Sequence, residues 1–140
     1  TGTLTSNSMD FRKCTVKGIS YGKGTTQIAR SNLKRKGLPI PPEPVKDANE
    51  PETPNVNFTD DRVRKILGNK NDPAYPAMYE FMLHLALNHD VQPERPDGPG
   101  TERVVYSASS PDEGAFVNCA KHFGFYFGLC SHFHLLFFVY

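Results

Sequence analysis

The sequence predicts an α/β fold, with strands and helices layered around one core, and three observations carry that prediction. Apolar and polar residues alternate over residues 9–21 (MDFRKCTVKGISY), the period of an extended strand. Met78, Phe81, Met82 and Leu85 recur at i, i+3, i+4 and i+7, which places them on one face of a helix. Ser110-Pro111-Asp112-Glu113 then opens a second helical pattern that runs into the alternating Phe123, Phe125 and Phe127. Strand, helix and strand thus succeed one another along the chain.

Residues 1–8 (TGTLTSNS) have the composition of a loop. Within 9–21, Met9 and Phe11 share one parity whereas Cys14 and Val16 share the other. A bulge or bend near Lys13 is therefore expected. From 22 to 72 the pattern dissolves, and Pro39, Pro41, Pro42, Pro44, Pro51 and Pro54 crowd its middle. Too few apolar side chains are present to offset the entropy of ordering, which predicts a mobile insertion over 23–72. A short helix is expected inside it at 60–67 (DDRVRKIL), with acidic residues at its start and Gly68 after its end.

The Met78 stripe predicts a helix over 76–88, and 92–102 (QPERPDGPGTE) reads as a turn-rich connector. Residues 103–107 (RVVYS) are β-branched and predict a strand. In the next segment Ser110 suits the N-cap, Pro111 the first helical position, and Glu113 the far corner of a capping box. The helix is expected to reach about His122 and to turn Phe116, Val117, Ala120 and Phe123 inward.

Composition narrows the function. Sixteen Lys and Arg face fifteen Asp and Glu, a net charge of +1, so no global field points to nucleic acid or to an anionic membrane. The apolar run at 133–140 falls far short of the ~20 residues that span a bilayer. Cys14, Cys119 and Cys130 are odd in number and irregularly spaced, which fits reduced thiols better than a disulfide framework. Their spacing to His122, His132 and His134 matches no standard zinc site. Phe81, Phe116, Phe123 and Phe125 sit at helical and strand spacing and fit core packing better than adenine stacking. Lys34-Arg35-Lys36 fits a solvated charge run.

Three ordered blocks resemble the type IV P-type ATPases, which transport phospholipids. The opening TGTLTSN matches the residues after the Asp-Lys pair of a P-type phosphorylation loop, at Thr1 to Thr5 and Asn7. Met9, Phe11, Lys13, Cys14, Gly18, Tyr21 and Gly22 match the strand and turn after that loop in the type IV branch. His89, Val91, Pro93 and Glu94, and then VVYSASSPDEGAFVNCAKHFGFYF, match two later blocks.

The resemblance implies a fragment beginning just past the phosphorylated aspartate, so that the chain itself holds no catalytic residue. Residues 1–14 would end the phosphorylation loop and supply the first strand of its domain. Residues 15–127 would form part of an α+β nucleotide-binding domain carrying the insertion at 23–72, and 128–140 an atypical apolar tail. It further implies ATP as substrate, Mg²⁺ as cofactor, Thr1 at the phosphate with its carbonyl offered to Mg²⁺, and Glu113 at the adenine amino group. A phospholipid, handled by membrane helices outside these residues, and an accessory subunit of the parent would be the partners. The parent would span a membrane many times, with this segment on the cytosolic side. A soluble phosphatase of the haloacid-dehalogenase kind shares a related loop, and a non-enzymatic truncated product is the other alternative. Past Phe127 the match stops, and GLCSHFHLLFFVY is expected to be foreign sequence without regular order.

Overall fold

The computed structural model describes residues 8–45, 52–94, 96–98, 105–129 and 135–139. Among these residues four helices and six short strands follow in the order ββαααββαββ, and the strands pair as three separate antiparallel ribbons. The architecture is a mixed helix-and-sheet one of the α+β kind.

The first ribbon is a hairpin of β1 (Cys14–Val16) and β2 (Ile19–Tyr21). Its two-residue turn places Lys17 at φ 48° and Gly18 at φ 79°, the left-handed pair that matches the twist of a tight hairpin. Ladder pairing lapses at residues 12 and 13, where the interruption near Lys13 is expected. Met9 and Phe11 do not share an environment, however: Phe11 is buried and Met9 exposed.

The segment expected to be a mobile insertion over 23–72 carries regular structure, and its later part packs into the core. Residues 27–35 form α1 (Gln27–Arg35), capped by the Thr26 hydroxyl, which accepts from the Ala29 N–H. Further on, the chain returns to lie beside Phe11 and Lys23, which flank the hairpin. Phe11 N–H donates to the Asn55 carbonyl at 2.8 Å, Asn57 N–H to the Phe11 carbonyl at 3.0 Å, and Lys23 N–H to the Thr59 carbonyl at 2.9 Å. Val56 and Phe58 are buried by this return. The expected short helix comes next as α2 (Asp61–Leu67), with Asp60 as its N-cap and Val63 and Ile66 on its buried face. Few apolar residues occur between 52 and 67, yet nearly all of them enter the core.

Helix α3 (Tyr75–Leu87) buries Met78, Met82 and Ala86, with Phe81 and Leu85 partly covered at the flanks. It packs on α4 (Pro111–His122), on α2 and on β5 (Phe125–Leu129). The connector expected at 92–102 instead begins with β3 (Gln92–Glu94), which pairs with β4 (Val105–Ser107) in the register Pro93 to Tyr106. β5 pairs with β6 (Leu135–Val139), so the segment past Phe127 enters a strand pair. Aromatic contacts join these parts: Phe11 to Phe58 at 5.8 Å, Phe58 to Phe123 at 5.6 Å, and Tyr79 to Phe125 at 5.3 Å. Edge-on and tilted rings at such spacings add to simple burial.

Candidate functional site

Of the two residues singled out for nucleotide, Glu113 lies in the first turn of α4 and is half-buried. Thr1, singled out for phosphate and Mg²⁺, lies outside the described residues. Pro111 occupies the first helical turn as expected, whereas the Ser110 side chain makes no capping hydrogen bond. The capping box is thus not closed from the Ser110 side, and Ser110 contributes through its carbonyl, which accepts from Gly114 N–H at 3.1 Å. The Glu113 carboxylate is one of two acidic groups, with Asp112, at the helix start, where partial positive charge favours them.

The helix that carries Glu113 packs on a second small core. Val91 and Val117 are buried together, with Tyr106 and Ala108 packed against them. A Cβ on Gly114 would meet the Ala108 Cβ at 3.4 Å, so the helix start lies close to the β4 side. At the other end of α4 the Lys121 ammonium stands 5.3 Å from the Tyr106 ring centre. Burial lowers its pKa, and the ring face offsets part of that cost. This second small core lies against the start of α4.

Phe116, expected to point inward, is 45% exposed. Its ring touches Phe11 edge-on at 6.3 Å, at the margin of the buried face formed by Val117, Ala120 and Phe123. Phe123 and Phe125 are core residues, as their spacing suggests. Cys119 is fully buried, and the His122 ring is committed elsewhere. Thr53 Oγ1 lies 2.9 Å from His122 Nδ1, and Arg64 Nη2 lies 2.9 Å from Nε2. Both ring nitrogens are thus engaged within the fold. Among the described residues no three His, Cys, Asp or Glu side chains are grouped to hold a metal ion.

A second constellation is not apparent from the sequence pattern. Asp60 is buried, accepts from Gly22 N–H at 2.9 Å and from Arg62 N–H at 3.1 Å, and pairs with the Arg62 guanidinium at 2.6 Å. The Arg62 hydrogen bond is the main cause that holds the Asp60 pKa down to about 2. Arg62 also lies over the Tyr21 ring at 4.9 Å. The group is a clamp between the hairpin and α2, and its carboxylate is committed to the fold. Asp60 before a helix start is the local signal of it, but its partner Gly22 is 38 residues away. A cleft of about 390 Å³ is lined by Asp10 and Glu52 together with Asn55 and Asn57. Two carboxylates make it a poor cradle for phosphate.

No family model matches the chain. Individual proteins do. The chain is 41% identical to phospholipid-transporting ATPase 10 of Arabidopsis thaliana over 132 residues, covering 91% of this chain and 11% of that protein. It is 37% identical to phospholipid-transporting ATPase IC of Xenopus tropicalis, with 91% and 9% covered. With phospholipid-transporting ATPase dnf2 of Schizosaccharomyces pombe the identity is 34%, with 91% and 10% covered. The chain therefore spans about a tenth of the length of these relatives. Identity at this level, over nine-tenths of the chain and in plant, animal and fungal proteins alike, agrees with the three blocks of residues 1–22, 89–94 and 104–127. The chain belongs, as a segment, to the type IV phospholipid-transporting P-type ATPases.

Proposed function

We propose that the chain is the front part of the nucleotide-binding region of an ATP-driven phospholipid flippase, with Glu113 at the adenine side of the pocket. The observation that carries this is the placement of Glu113, half-buried in the first turn of a supported helix, within a chain 41% identical to a phospholipid-transporting ATPase. A carboxylate accepts hydrogen bonds, and the adenine 6-amino group donates them.

In the parent, the aspartate preceding Thr1 attacks the γ-phosphorus. The bond from that phosphorus to the bridging oxygen breaks, ADP leaves, and an aspartyl phosphate remains. Thr1 would contact the transferred phosphoryl group and, through its carbonyl oxygen, help to hold Mg²⁺. Mg²⁺, when bound, neutralises charge on the phosphates. The cycle moves phospholipid toward the cytosolic leaflet through a membrane domain outside this chain, and the segment itself lies on the cytosolic side. An accessory subunit of the parent belongs to the same proposal. The named matches favour this reading over a soluble phosphatase.

Steady-state kinetics on the purified full-length parent test the proposal. Glu113→Gln is expected to raise the KM for ATP by about tenfold, the worth of one hydrogen bond to a charged acceptor, with little change in kcat. An unchanged KM overturns the adenine-side role.

A further inference from the structure

The near-zero net charge of the chain conceals a local excess. Lys23, Arg30, Lys34, Arg35 and Lys36 are five cations between residues 23 and 42, a stretch with no Asp or Glu. Helix α1 occupies the centre of it and has no buried residue. At about 100° per residue, Arg35 comes round to nearly the same side of the helix as Ile28. Cation and apolar side chain therefore share one strip. Ile28 is 76% exposed, and Leu38 and Ile40 are exposed just beyond the helix. Favourable interaction with the helix dipole accounts for basic residues in the last turn. It does not account for a bare isoleucine in line with them. Arg30 is engaged with Glu43, and Lys23, Lys34, Arg35 and Lys36 are exposed.

We infer that the exposed face of α1 and residues 36–40 is a docking surface for an anionic phospholipid bilayer. The ammonium and guanidinium groups would meet lipid phosphates and carboxylates, while Ile28, Leu38 and Ile40 enter the headgroup boundary. Charge complementarity demands an anionic partner, and the shape chooses among such partners. An acidic peptide needs a groove to lie in. Two clefts, at 10 and 52–57 and at Arg64, Leu67, Gly68 and Phe123, lie away from α1. A helix with none of its residues buried presents a convex face, which suits a broad planar surface. The inference is independent of Glu113 and of the nucleotide.

Co-sedimentation of the 140-residue chain with vesicles tests it. Vesicles of phosphatidylcholine with about one third phosphatidylserine are expected to bind the chain, more weakly as salt rises, and pure phosphatidylcholine vesicles are not. The combined Lys34→Gln, Arg35→Gln and Lys36→Gln variant should weaken partition on the order of a hundredfold. Ile28→Ser changes an exposed side chain without touching the core, and should weaken partition about tenfold. Equal binding to both vesicle types, or undiminished binding by either variant, overturns the inference.

Discussion

Among single residues, the titratable groups of this chain mostly hold the fold rather than perform chemistry. Asp60 is the clearest case, since its carboxylate joins Gly22, Arg62 and the start of α2. Replacing it by Asn keeps the shape but removes the charge, and should cost on the order of 2 kcal/mol in urea unfolding near neutral pH. The pH dependence arises from the same contacts. The folded-state pKa lies below the ordinary Asp value, at about 2. Its contribution is therefore fully present above about pH 4 and is lost as pH falls toward that folded value. Wild-type stability should decline over that window more than that of Asp60→Asn. The thiols behave in the opposite sense. Burial, and secondarily the charge of Asp60, pushes Cys14 up to about 11, and burial pushes Cys119 well above its ordinary range. Both should resist a thiol reagent at pH 8 in the folded chain and react once urea unfolds it, with mass spectrometry locating the adducts.

For helices and strands, legibility in the sequence depended on how local the determining forces are. Helix α3 was legible because Met78 and Met82 both lie on its buried stripe, and α4 because a Ser-Pro start fixes its first turn. Strand β3 was not, because Gln92-Pro93-Glu94 has turn composition and becomes a strand only by pairing with β4. Phe116 misled for a related reason: it sits one residue before the buried Val117, at the margin of the apolar face. The Glu113 position was legible as a helix start, whereas its support by Val91, Tyr106 and Ala108 depends on contacts distant in sequence. Gly22 is the position where local backbone and distant packing meet. It has φ +99°, and a Cβ there would lie 2.4 Å from the Arg12 carbonyl and 3.1 Å from the Phe58 ring. Gly22→Ala is expected to destabilise the chain by more than ~2 kcal/mol, read by thermal unfolding. Gly18→Ala meets no neighbouring atom and should cost only about 1 kcal/mol for its positive φ.

For the whole molecule, the return of residues 52–67 to Phe11 and Lys23, which flank the hairpin, is the organising fact. It puts Phe58 between Phe11 and Phe123 and joins the hairpin, α2 and the end of α4 into one core. Few apolar residues in a proline-rich stretch concealed this, since a window average cannot show that each of them is used. The result is one packed unit against which α4 is anchored, with the Ser110–Glu113 turn held at its start and α1 set outside the core. The adenine-side role proposed for Glu113 would start from that turn. A carboxylate facing the adenine amino group must make nucleotide choice depend on itself. GTP presents a carbonyl oxygen where ATP presents the amino group, so a carboxylate there favours ATP and an amide, which can also donate, relaxes the preference. Equilibrium binding of ATP and GTP to the full-length parent should show the ATP preference reduced about tenfold or more by Glu113→Gln. An ATP-to-GTP affinity ratio unchanged by that substitution would mean that Glu113 does not face the base.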